Sequence, residues 1–122
     1  MAEPERLICA SEALVDGGAG VRFQVTRYGE VLPAFAVRFD GRVFGYINAC
    51  AHVPVELDWQ EGDFFDADGL YLVCATHGAR YWPETGVCVA GPCTGARLRA
   101  LELVERDGQV WLRDSAPGSV RQ

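Results

Sequence analysis

Both histidines of this 122-residue chain fall in one pattern with two of its five cysteines: Cys50-Ala-His52, twenty-one residues, then Cys74-Ala-Thr-His77. Thiolates and neutral imidazoles are the side chains that bind borderline and soft metals, and donors one or two residues apart converge on a metal from a single tight loop. The constraint on folding is severe, because two such loops, distant in the chain, must meet at one point. A fold that satisfies it holds both loops on stiff elements.

The rest of the chain supplies those elements. Period-two runs of β-branched and aromatic residues recur at Val21 to Tyr28, Ala34 to Phe39, Val43 to Ile47, Leu70 to Val73, Leu101 to Val104 and Gln109 to Leu112. Turn signals separate them: Asp16-Gly17-Gly18, Asp40-Gly41, Asp68-Gly69, Thr85-Gly86 and Asp107-Gly108. Short strands at this spacing, with no sustained helical period, predict an all-β fold, a small antiparallel barrel or sandwich. Asp40-Gly41 and Asp107-Gly108 read as hairpin turns, since glycine tolerates the positive φ such turns require. Both Cys/His pairs follow strand runs directly. The pattern is one domain over residues 1–114, and the stretch 115–122, with Pro117-Gly118-Ser119, reads as a mobile tail.

The residues around the pairs carry a family resemblance. Cys74-Ala-Thr-His77-Gly78-Ala79-Arg80-Tyr81 is similar to the second cluster loop of Rieske-type [2Fe-2S] ferredoxins, Thr85-Gly86 to the turn that follows it, and Gly91-Pro92 to the proline-bearing loop that covers the cluster. The likeness runs from about Arg6 to Leu112 and departs in one place: the stretch between His52 and Cys74 is longer than usual in the family. It implies one [2Fe-2S] cluster per chain, held by Cys50 and Cys74 on the inner iron and by His52 and His77 on the outer. It further implies a cluster-binding subdomain built of loops, with the cysteine side buried and electrons entering and leaving through the histidine edges. Residues implied to tune the cluster are Gly78, Ala79, Tyr81, Gly91, Pro92 and Cys93.

Differences from particular relatives refine this expectation. High-potential members from respiratory complexes carry a disulfide between the loops, and the matching positions here are Val55 and Thr76. Those members also have a serine where this chain has Ala79, while the tyrosine that donates to a ligand sulfur is kept as Tyr81. Fewer hydrogen bonds to sulfur stabilise the reduced cluster less, so the expected potential lies in the lower part of the Rieske range of roughly −150 to +300 mV.

The function implied is that of a soluble one-electron carrier passing electrons between a reductase and a terminal oxygenase. One alternative is a small subunit of a larger oxidoreductase, similar to that of assimilatory nitrite reductase. A second is a zinc-stabilised interaction module, which spacing alone leaves open. Zinc sites of this composition more often put two cysteines in one pair and two histidines in the other, whereas a mixed pair in each loop suits two irons side by side. With both histidines in the pattern and no Gly-rich phosphate loop, the chain reads as an electron-transfer component with no small-molecule substrate of its own.

Three further features have two readings each. Cys88 and Cys93 flank the Gly91-Pro92 loop, either as small buried thiols or as a redox-active pair, and packing favours the former. Cys9 belongs to an opening strand and to the core. The segment Trp59 to Gly69 mixes acids with three aromatics, either as a docking surface for a basic partner or as a loop pinned by its own aromatics.

Seventeen acidic against eleven basic residues give a net charge of −6. Nucleic acid is thereby disfavoured, since phosphate is bound through Lys and Arg, and a redox protein with a basic docking face is the expected partner. No apolar run approaches membrane length, and Met1 to Arg6 lacks the pattern of a secretory leader. An odd number of cysteines argues for thiolates used as ligands or kept reduced. The expected location is the cytoplasm.

Overall fold

The computed structural model describes residues 5–27, 29–50, 55–58, 60–75, 78–91 and 94–113. The strands are β1 Glu5–Ala10, β2 Val21–Arg27, β3 Glu30–Phe39, β4 Arg42–Ile47, β5 Leu72–Val73, β6 Arg80–Tyr81, β7 Cys88–Ala90, β8 Ala100–Leu101, β9 Leu103–Arg106 and β10 Gln109–Arg113. A 3-10 turn at Ser11–Ala13 is the only helical element among the described residues. The strands form three antiparallel sheets, ordered β1-β10-β9, β2-β3-β4-β8 and β5-β6-β7. The expectation of an all-β sandwich holds.

The middle sheet is covered on both faces. Along β3, Ala34, Phe35, Ala36 and Val37 are each 0% exposed, so the alternation that marks a half-solvated strand is missing. Side chains still alternate in direction. Ala34 packs with Ile47, Leu101 and Leu112, and Ala36 with Leu14 and Val110, towards the β1-β10-β9 sheet. Phe35 and Val37 point the other way, into a cluster with Tyr46, Leu72 and Tyr81 that joins the β5-β6-β7 sheet. Small residues on one side and large ones on the other set the two layers at different depths. Cys9, only partly buried, packs against the Leu14, Ala36 and Val110 cluster.

The two Asp-Gly turns do what their sequence requires. Asp40 and Gly41 have φ of 54° and 78°, Asp107 and Gly108 of 54° and 74°, and each dipeptide joins strands whose flanking residues pair directly, Phe39 with Arg42 and Arg106 with Gln109. Positive φ at both central positions is the two-residue hairpin turn that matches strand twist.

Two expectations about strands need correction, and two strands carry no sequence signal. The run Leu101 to Val104 is two strands, since Leu101 pairs with Gly45 in the middle sheet and Leu103 with Leu112 in the outer one; the chain changes sheet at Glu102. The run Leu70 to Val73 is strand only over Leu72–Val73, because Asp66 accepts hydrogen bonds from the backbone N–H of Leu70 and Tyr71 and holds them in a turn. The strands β6 and β7 give no periodic signal at two and three residues each. The tail 115–122 lies outside the described residues, as do Tyr28 and Trp59.

The long segment between the cysteine loops turns Phe64 and Phe65 inward. Phe64 is 0% exposed and Phe65 9%; the Phe64 ring stacks on Phe35 with centroids 4.0 Å apart and planes 14° from parallel. For these two residues the pinned-loop reading is the one observed. Across the molecule, Arg38 reaches from β3 to Glu105 on β9 at 2.6 Å and to the Leu14 carbonyl at 2.8 Å, closing the middle and outer sheets together.

Two expected outcomes follow from this packing. Phe64→Ala removes a fully buried, stacked ring, and the loss should be about 3–5 kcal/mol, read as a lower denaturant midpoint. The Arg38 hydrogen bond holds the Glu105 carboxyl below its ordinary value near 4.5. A depressed folded pKa gives stability that is present above the unfolded value and lost as pH falls through the folded one. Glu105→Gln should therefore be less stable than the parent at neutral pH. The gap between their urea midpoints should close as pH is lowered below about 4.5; a gap unchanged in acid would refute the assignment.

Candidate metal centre

Each cysteine loop leaves the end of a strand. β4 ends at Ile47, and three residues later the Cys50 N–H donates to the Val55 carbonyl at 2.8 Å, drawing the first loop closed. β5 ends at Val73, and the next residue, Cys74, opens a loop that returns to β6. Its N–H donates to the Ala79 carbonyl at 2.9 Å, and its own carbonyl accepts from the Gly78 N–H at 2.7 Å. Gly78 has φ of +74°, a backbone turn that a side chain would strain. Antiparallel pairing of Val73 with Arg80 and Leu72 with Tyr81 anchors both arms of this loop.

The two sulfurs share one environment. Cys50 is 4% exposed and Cys74 0%, and both lie in the packed cluster with Leu57, Ala79, Tyr81, Cys88 and Leu98. The fully buried Tyr81 hydroxyl sits 3.2 Å from Cys50 Sγ. Cys88 faces inward from β7, and its thiol donates to the Ala90 carbonyl at 3.2 Å. His52, His77, Pro92 and Cys93 lie outside the described residues, as does Thr76. Of the expected tuning positions, Ala79, Tyr81 and Gly91 come together. A Cβ placed on Gly91 would meet the Ala79 Cα at 2.8 Å, so the start of the covering loop rests on the backbone of the second cysteine loop.

Sequence reasoning missed a polar group behind the first loop. Asn48, 1% exposed, stands two residues before Cys50. Its Nδ2 donates to Asp58 Oδ1 at 3.0 Å, and its Oδ1 accepts from the Leu57 N–H at 2.8 Å. Asp58 Oδ2 accepts from the Gly62 N–H at 2.9 Å and lies 3.4 Å from Arg22 Nε. The only sequence signal for it was a polar residue at the end of an apolar strand.

Charges near the centre are otherwise held in place. Burial raises the Asp66 carboxyl, but the N–H groups of Leu70 and Tyr71 and the Arg80 guanidinium 2.8 Å away outweigh it and bring the group below its usual value. Burial pushes the Tyr46 phenol up, and its hydroxyl donates to the Pro83 carbonyl at 2.7 Å.

These donors fit an iron-sulfur group. Two thiols set in an apolar cluster ionise unfavourably by themselves, whereas a bound metal supplies the positive charge that makes thiolates the stable form. A tyrosine hydroxyl in reach of sulfur is the kind of outer contact that adjusts such a group.

Solved structures give the same fold. The ferredoxin of carbazole 1,9a-dioxygenase from Nocardioides aromaticivorans IC177 superposes with a TM-score of 0.71 at 24% identity, over 91% of this chain and 98% of that one. The ferredoxin of Sphingomonas yanoikuyae B1 does so with a TM-score of 0.70 at 24% identity, over 92% of this chain and all of that one (100%). No curated protein matches by sequence. The family model for the Rieske [2Fe-2S] domain matches residues 6–107, which include both cysteine loops and the covering loop, and so the chain belongs to the Rieske [2Fe-2S] domain family.

Proposed function

We propose that the protein is a one-electron carrier whose [2Fe-2S] cluster is held by Cys50, His52, Cys74 and His77, and that it passes electrons between a reductase and a terminal oxygenase. The observation that carries the reading is the convergence of Cys50 and Cys74, from loops on two different sheets, into one buried cluster, in a chain that the Rieske family model matches over residues 6–107. When bound, the cluster supplies reversible one-electron chemistry. The chain's own residues fix the cysteines, exclude water from their side and place the Tyr81 hydroxyl on Cys50 Sγ.

An oxygenase partner is supported by the company the fold keeps. One structure with this fold is the reduced complex between oxygenase and ferredoxin in carbazole 1,9a-dioxygenase, with a TM-score of 0.70 at 18% identity over 95% of this chain and 30% of that one. The net charge of −6 supports a partner with a basic docking face. Exposed Glu56, Glu61 and Asp63 lie in the segment that follows the first loop, where they can steer such a partner. A cytoplasmic location is supported by the odd number of cysteines. No helix among the described residues is long and apolar enough to cross a membrane.

The purified protein should be brown, bleach on reduction and contain two irons and two acid-labile sulfides per chain, as a [2Fe-2S] cluster demands. Cys50→Ser or Cys74→Ser should abolish it, and Cys88→Ser should retain it. Stoichiometric zinc in protein expressed with ample iron would overturn the reading. Tyr81→Phe tests the sulfur contact. A hydroxyl that donates to a ligand sulfur favours the reduced state, so its loss should lower the midpoint potential. One such bond is worth on the order of 1 kcal/mol, about 40 mV for one electron. An unchanged potential in protein film voltammetry would leave Tyr81 a packing residue only.

A further inference from the structure

We propose that Asp58 is a positioning residue for the cluster: with Arg22 and Asn48 it forms a brace that holds the two cysteine loops as one unit. This rests on the cofactor reading above and concerns residues outside its ligand set. The two loops leave different sheets, β4 from the middle one and β5 from the third, so no shared strand pairing fixes the distance between Cys50 and Cys74. The peptide of Leu57 does so instead. Its N–H donates to Asn48 Oδ1 at 2.8 Å, two residues before Cys50, and its carbonyl accepts from the Ala75 N–H at 3.0 Å, one residue after Cys74. A single residue is thereby hydrogen-bonded to both loops.

Asp58 is what keeps that link rigid. Its side chain is 0% exposed, and its two oxygens take Asn48 Nδ2 at 3.0 Å and the Gly62 N–H at 2.9 Å. The first of these bonds fixes the Asn48 amide in the orientation that leaves Oδ1 free to accept from Leu57. The second fixes the far end of the segment. Arg22, on β2, approaches Asp58 at 3.4 Å and also holds Glu56 at 2.6 Å and Glu61 at 2.8 Å, so the residues on either side of Asp58 are tied to the same guanidinium. The Asn48 N–H donates to the Pro33 carbonyl at 2.9 Å, which grounds the brace on β3. The Asp58 bond to Asn48 ends two residues before Cys50, and Leu57, the chain neighbour of Asp58, carries the link to Ala75, one residue after Cys74.

The brace is tested by changing its hydrogen-bond polarity while keeping its shape. Asp58→Asn sets an amide NH2 either against the Gly62 N–H or against Asn48 Nδ2, so one bond is lost, and either the segment is loosened at Gly62 or Asn48 is released. In the reconstituted holoprotein, the g-values of the dithionite-reduced cluster should shift, and iron should be lost to a chelator roughly 10- to 100-fold faster, the scale on which residues behind metal ligands act. The double variant Asn48→Asp/Asp58→Asn restores the three hydrogen bonds, with the one between positions 48 and 58 reversed: the carboxylate at position 48 accepts from the Leu57 N–H and from the amide at position 58, whose oxygen accepts from Gly62. It should return the g-values towards those of the parent. Glu105→Gln serves as the control, since it weakens a distant ion pair and should leave spectrum and iron loss unchanged at comparable loss of stability. If Asp58→Asn does not fold, Arg22→Gln, at a site whose side chain is 31% exposed, should give an intermediate increase in iron loss. Parent-like g-values and iron loss in Asp58→Asn, or in Arg22→Gln where that alone folds, would overturn the brace and leave the cofactor reading standing. An iron-free parent protein would overturn both.

Discussion

A strand buried on both faces over its central four residues organises this molecule. The run Ala34 to Val37 in β3 is wholly buried, and its alternating small and large side chains face two different cores. Burying both faces of a sheet removes the freedom of register that a half-solvated sheet keeps, because a one-residue slip would put Phe35 where only Ala34 fits. The outer sheet closes against the small-residue face. The large-residue face receives the third sheet, which is too short to be stable by itself and takes its order from Phe35, Val37 and Tyr46 beneath it.

That arrangement suits a redox site. An electron carrier gains from ligands that do not move when charge changes, and the third sheet offers short hairpin arms whose inner residues, Leu72 and Tyr81, are locked in the core. The Tyr81 side chain contributes twice, as a buried ring that fixes β6 and as a hydroxyl beside Cys50. Core packing and contact with a cysteine sulfur are thus properties of the same residue.

Much of this was readable in the sequence, and the parts that were not share a cause. Asp40-Gly41 and Asp107-Gly108 announced their hairpins because the turn chemistry is local. The long strands β2, β3, β4 and β10 were visible because each is five residues or more. β6 and β7 were invisible: two or three residues carry no period, and their strand state comes from neighbours on either side. Glu102 gave no sign that the chain changes sheets there. Of the residues that motif and resemblance singled out, Cys50, Cys74, Ala79 and Tyr81 lie together in one cluster. The contacts among Arg22, Asn48 and Asp58 were not legible, since a hydrogen bond between residues ten apart or an ion pair between residues thirty-six apart leaves no mark on spacing.

The contact between Gly91 and Ala79 has an evolutionary consequence. Gly91 has φ of +99° and no room for a Cβ above the Ala79 backbone, so it can scarcely be replaced at all. Position 79, fully buried against it, is then confined to small side chains for as long as the covering loop starts where it does. The two sites are epistatic. A lineage that needs a bulkier residue at position 79 has to shift the third loop first, which makes the order of substitutions, and not only their number, a limit on how readily such a carrier can be altered there.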